Sequence, residues 1–202
     1  AALLAGCAGP QARALLAQPP AALAERVELE EVPFHPQELY QCGPAALATV
    51  LAHSGAAVTP EALVPEVYLP ARGGSLQAEM LAAARRHGRL AYPLAPQLAD
   101  LLAEVAAGTP VLVLQNLALL PPARWHYAVV VGYDLAREEI VLRSGTTRRL
   151  ALSLAAFERT WARAGRWAMV VVPAEKIPVT AVEERYLAAA VALERSAPEA
   201  AG

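Results

Sequence analysis

The sequence predicts an α+β domain, in which a helical first part carries a candidate nucleophile helix that packs on an antiparallel sheet formed by the second part. Three observations predict it. Most segments with helical periodicity fall before residue 108, and most short β-branched runs fall after it. Cys42 stands at the head of an alanine-rich apolar run, directly before Gly43-Pro44. His126 opens the run Tyr127-Ala128-Val129-Val130-Val131-Gly132-Tyr133, which reads as a strand.

Taken in order, residues 8–26 contain Gly9-Pro10, Gln18-Pro19-Pro20 and several alanines, and read as a tether. Residues 27–33 alternate apolar and acidic positions, a weak strand, and Pro33-Phe34-His35-Pro36 leads into the loop before Cys42. A helix is expected over 43–53, stopped by Gly55. Thr59 is a good N-cap and Pro60 a good first residue for a short helix reaching about Tyr68. After a loop at Gly73-Gly74, Ser75 is expected to cap a helix through Arg86, with basic residues in its last turn and Gly88 as its stop. A further helix is expected over 96–107, then a buried strand over 110–115. Residues 126–133 and 139–142 form a hairpin; 146–151 is a strand; Ser153 caps a helix to Ala162; and 167–172 closes the sheet. This frames a domain over 27–174. Beyond it, 175–202 reads as a linker and an alanine-rich helix over 182–194, outside the catalytic pattern and a candidate start of a helical-repeat region that would bind a protein partner.

At 202 residues the chain supports one domain and a small appendage. It is 56% hydrophobic and 18% charged, which excludes a disordered chain, although alanine inflates the apolar share. No apolar run reaches the ~18 residues of a spanning helix. A formal net charge of −2, with no basic stripe interleaved with aromatics, gives no reason to expect nucleic-acid binding. Neither a glycine-rich phosphate loop nor a Cys/His cluster with metal spacing is present, so no cofactor and no metal are expected.

The two cysteines divide into two jobs. Leu4-Ala5-Gly6-Cys7 resembles a bacterial lipobox, whose cysteine is acylated on sulfur and becomes the mature N-terminus. Residues 1–26 are then a lipoprotein signal remnant and tether, and the sequence is expected to begin part-way through that signal. Ala8 is not the aspartate of an inner-membrane retention signal, so the expected location is the bacterial envelope, anchored in the outer membrane and facing the periplasm. Acylation leaves Cys42 unpaired in an oxidising compartment, a hazard that catalysis would justify; the alternative is a Cys7–Cys42 disulfide.

At the start of a helix, orphan backbone N–H groups and the positive end of the macrodipole favour a thiolate, the nucleophilic form. A helix-capping cysteine followed much later by a strand-borne histidine is the pattern of a papain-like cysteine hydrolase. At Gln37…Cys42-Gly43-Pro44-Ala45 and His126-Tyr127-Ala128-Val129-Val130-Val131-Gly132-Tyr133 the chain resembles the bacteriocin-processing, double-glycine leader peptidases, a family of papain-like cysteine peptidases, over about residues 27–172. The resemblance implies a peptide substrate, Cys42 as nucleophile, His126 as general base and acid, and Gln37 as the oxyanion-hole side chain, with the Cys42 backbone N–H as second donor.

Two departures follow. Many members precede an exporter with spanning helices and a nucleotide-binding loop, which are absent here, so a stand-alone enzyme is implied. The family also places an acidic residue to orient the histidine. Asp134 lies eight residues along the strand, about 26 Å from His126. The hairpin register puts the orienting position on Arg143-Ser144-Gly145, which has no carboxylate, so Ser144 is the candidate orienter. His35 reads as an exposed loop residue, His53 and His87 as helix-end residues, and Asn116 as a strand-end turn. Two rival readings stand beside peptidase action: a degenerate peptidase fold kept as a binding or scaffold module, and a related acyl transferase or amidase using the same dyad.

Overall fold

The computed structural model describes residues 9–36 and 42–196. Its chain order is α1 (Pro10–Ala17), β1 (Arg26–Glu28), α2 (Cys42–His53), α3 (Pro60–Val67), β2 (Tyr68–Leu69), β3 (Gly74–Ser75), α4 (Gln77–Arg86) and β4 (Arg89–Pro93). It continues with α5 (Leu98–Ala106), β5 (Val111–Asn116), β6 (Trp125–Asp134), β7 (Glu139–Ser144), β8 (Thr147–Ser153), α6 (Leu154–Ala162), β9 (Ala168–Pro173) and α7 (Glu183–Ser196).

One antiparallel sheet in the order β4-β9-β5-β6-β7-β8 organises the molecule, and β1 takes the edge of β6 beyond β5. Strand alternation divides the core between its two faces. Ala91, Leu112, Leu114, Tyr127 and Val129 pack with Leu47, Leu51, Leu63 and Met80 of α2, α3 and α4. Leu90, Tyr92, Val111, Val113, Ala128 and Val130 pack with the helices of the opposite layer, α1, α5, α6 and α7. The expected α+β architecture is what the chain adopts.

Helix α2 is buried from Gly43 to Leu51 and apolar there except for Thr49, whose hydroxyl donates to Ala45 O at 2.9 Å, as suits a helix between a sheet and two other helices. Gly55, at φ 88°, ends it. Thr59 caps α3 through Ala62 N, and Ser153 caps α6 through Ala156 N, as the sequence predicts.

Other expectations are corrected. The stretch read as a tether contains α1, which buries Ala12 and Leu15. Its orphan amides are met from far away: the buried Glu158 carboxylate accepts from Gln11 N at 3.1 Å and Ala12 N at 2.7 Å. Gly9 is needed there because a Cβ would lie 2.0 Å from Glu158 Oε2. Ser75 does not cap α4; Leu76 occupies that position, while Ser75 pairs with Tyr68 in the β2–β3 ladder. Helix α5 begins at Leu98 rather than 96.

Strand β4 was not legible as a strand: it is five residues long, charged at its start, and ends in a proline that only an edge strand tolerates. The segment expected beyond the domain is packed on it. Glu104, buried on α5, accepts from Thr180 N and Oγ1 at 2.8 and 2.7 Å, Tyr92 Oη accepts from Val182 N at 2.9 Å, and α7 buries Ala189 and Leu193.

Candidate active site

Cys42 is the first residue of α2, half-buried against the α2–α4 layer, and its thiol is free. The first turn of that helix is held by close packing. A Cβ on Gly43 would lie 2.3 Å from Ser75 Oγ and 2.7 Å from Ser75 Cβ, so only glycine lets β3 approach. Tyr127 Oη donates to Ser75 O at 3.2 Å, and its ring meets Trp167 edge-on at 5.9 Å. Burial, with the neighbouring Cys42 charge adding to it, pushes the Tyr127 hydroxyl far above its ordinary range, so it remains a neutral donor. Gly43, Ser75 and Tyr127 thus tie the cysteine end of α2 to the start of β6.

Gly43→Ala is expected to destabilise the fold by about 1–3 kcal/mol in urea unfolding, the cost of forcing a methyl into packed space. Ser75→Gly empties that space, so the double variant should lose clearly less than the sum of the two single losses.

His126 sits beside Tyr127 at the same end of β6, with Gln115 of β5 as its cross-strand partner. Its Nε2 lies 2.8 Å from Ser144 Oγ, at the end of β7. The structure therefore brings together His126 and Ser144, the pair that register arithmetic singled out. Burial first, and the Arg124 cation second, lower the His126 pKa below the usual imidazole value. With Nε2 engaged, Nδ1 is the ring nitrogen left for chemistry.

Arg143, next to Ser144, is a buried cation that no sequence signal pointed to. Its guanidinium donates to Val32 O at 3.3 Å, Glu30 O at 3.1 Å and Arg148 O at 2.7 Å. It clamps the chain that leads into residues 37–41 onto the end of β7. Asn116 is the strand-end turn residue expected: its Oδ1 accepts from Ala118 N and Arg124 N, which shapes the β5–β6 loop.

Gln37 and Cys7 lie outside the described residues. His35, expected to be exposed, is half-buried, and its Nε2 is enclosed without a hydrogen-bond partner among the described residues. His53 and His87 hold loop and helix ends: His53 Nε2 is 3.1 Å from Gly108 O, and His87 Nε2 is 2.9 Å from Glu66 Oε1. Among the described residues no group of three or more His, Cys, Asp or Glu is placed to hold a metal ion, and no helix is long and apolar enough to cross a membrane.

A thiol at a helix start, an imidazole with one nitrogen engaged, and orphan amides at the same helix end make up a set of groups suited to acyl transfer. Comparison with known proteins gives the family and the fold. The Peptidase_C39 like family matches residues 29–169. A structure from Bacillus anthracis described as a C39-like peptidase aligns at TM-score 0.64 and 22% identity, covering 74% of this chain and 98% of the other. The peptidase domain of Streptococcus ComA, a bi-functional ABC transporter of a quorum-sensing pathway, aligns at 0.57 and 18%, covering 71% and 99%. A double glycine motif protease from an AMS/PCAT transporter, solved with its leader peptide, aligns at 0.54 and 21%, covering 71% and 93%. No curated protein sequence matches the chain.

Proposed function

This chain belongs to the C39-like cysteine peptidase family, and from that premise we propose that it cleaves peptide substrates through a thioester on Cys42. The observation that carries the reading is the His126–Ser144 hydrogen bond at the end of the sheet to which the Cys42 helix is tied. In the first half-reaction Nδ1 of His126 takes the Cys42 thiol proton as sulfur attacks the scissile carbonyl carbon. The oxyanion is met by the Cys42 backbone N–H and the Gln37 side chain. His126 then gives its proton to the leaving amine, the C–N bond breaks, and a thioester remains. Water, deprotonated by His126, attacks that thioester; sulfur leaves, takes the proton back, and the acid product departs. Ser144 holds the ring in position. The solved relative with its leader peptide supports a peptide as substrate class. The lipobox at Cys7 supports a lipid-anchored enzyme of the bacterial envelope, placed at the outer membrane facing the periplasm.

One observation favours a second reading. A hydroxyl stands where a carboxylate would orient and stabilise an imidazolium, which fits a peptidase fold kept as a binding module. Mass spectrometry of a peptide mixture incubated with the chain decides among the readings. New amines with a Cys42 thioester trapped in acid support hydrolysis, cross-linked amides mark an acyl transferase, and retained but uncut peptide marks a binding module.

The lowered His126 pKa fixes two pH effects. An imidazole that stays neutral to lower pH keeps its role as base, so the acid limb of kcat/KM should lie below the ordinary histidine pKa of about 6.5. Arg124→Ala should move that limb upward. Stability runs the same way: below about pH 6.5 the unfolded chain binds a proton at this site that the folded chain refuses, so this contribution falls as pH falls.

A further inference from the structure

We propose that the β5–β6 loop, residues 117–124 with Trp125, is an interfacial element that docks into the surface of a lipid bilayer. Its exposure is unusual for its composition. Leu119 is 87% exposed, Leu120 79% and Trp125 57%, three large apolar side chains on one short hairpin. The sequence of the loop, Leu-Ala-Leu-Leu-Pro-Pro-Ala-Arg, contains no acidic residue, and its one charge is the cation Arg124. An apolar tip beside a tryptophan and an arginine is the arrangement that sits well at a membrane interface, where apolar groups enter the acyl boundary and the polar ends stay with the headgroups.

The backbone is prepared for the same place. Leu117 N donates to Arg124 O at 2.9 Å, Ala118 N and Arg124 N donate to Asn116 Oδ1 at 3.1 and 3.0 Å, and Pro121 and Pro122 carry no N–H. Few donors are left to desolvate at the tip, which is the main cost of moving a loop out of water. Asn116 O in turn accepts from Arg163 Nε at 3.1 Å, which fixes the loop to the end of α6.

The loop also lies at the end of the sheet near Gly9, the first described residue. Gly9 packs against Glu158 of α6, five residues before Arg163, about 7.5 Å along the helix axis. Gln11 Nε2 donates to Pro96 O, in the turn that leaves β4 at that same end of the sheet. A lipid carried on Cys7 and the apolar loop would therefore reach one membrane together, with His126, which follows Trp125 directly, close to its surface. The inference does not require that lipid, and the test removes it.

The full chain carrying Cys7→Ser, which cannot be acylated on that residue, is floated with vesicles of mixed phosphatidylethanolamine and phosphatidylglycerol. It should partition onto them, and Leu119→Asp with Leu120→Asp should lower the partition coefficient by about tenfold or more. Vesicles should also blue-shift tryptophan emission, and Trp125→Phe should remove the shift, since Trp161 is buried in the core and the half-buried Trp167 is packed edge-on against Tyr127, outside the loop. Absence of partition, or partition equal in the double aspartate variant, overturns the proposal. Unchanged partition together with a raised KM for a soluble peptide would overturn it too, and would make the loop a wall of the substrate cleft.

Discussion

Cys42→Ser is expected to lower peptide turnover by at least about 10³-fold while leaving the unfolding midpoint nearly unchanged. The exchange is close to isosteric at a half-buried position, so packing against the α2–α4 layer survives. What is lost is the sulfur nucleophile: an alcohol at the same helix start is a weaker nucleophile, and the neutral His126 must remove its proton unaided by a carboxylate. His126→Ala should cost a similar factor, because the thioester can neither form nor break without a proton shuttle. The two residues act as one unit, so the double variant should be little worse than the poorer single one. Ser144→Ala should cost far less than either, since it frees the ring but leaves both reacting groups in place. Steady-state assays on one peptide, with circular dichroism as the control for folding, check all four.

Arg143→Met is expected to destabilise the domain by about 3–5 kcal/mol, the cost of leaving several acceptors without their donor. Three carbonyls, of Glu30, Val32 and Arg148, share this guanidinium, and two of them belong to the segment that enters the nucleophile loop. Methionine fills much of the volume but satisfies none of the acceptors, each of which would then be left without its donor. Arg143→Lys should recover only part of the loss, because a single ammonium cannot reproduce the planar fork. Urea unfolding gives the energies. The same variants should also lower turnover beyond what the unfolded fraction explains, since the clamp sets where the chain approaches Cys42.

The parts of this molecule that were legible in the sequence are those specified by neighbours in the chain. Cys42 and His126 announce themselves because a helix start and a strand run lie directly beside them. Ser144 was reached by counting back along a hairpin. The count was slightly off, because the hairpin turns about one residue later than assumed, with Asp134 opposite Glu139; the register shift between Val130 and Gly132 takes back part of that difference, and the stretch singled out holds the hydroxyl that touches the imidazole.

What was not legible depends on partners far along the chain. Helix α1 exists because Glu158, more than a hundred residues later, accepts from its first amides. Nothing next to Arg143 in the chain marks it as buried; distant carbonyls surround its guanidinium. Ser75 looked like a helix cap, yet its place is against Gly43, a contact that only the packing of β3 on α2 creates. The docking of α7 was hidden for the same reason, its anchors being Glu104 and Tyr92.

The most direct test of the central claim is the rate at which a small alkylating reagent labels Cys42 at neutral pH, in the chain carrying Cys7→Ser and in the same chain with His126→Ala. An activated cysteine–histidine pair predicts labelling at least about tenfold faster than free cysteine, with the advantage lost when the imidazole is removed. Labelling no faster than free cysteine, and indifferent to His126, would contradict the peptidase account.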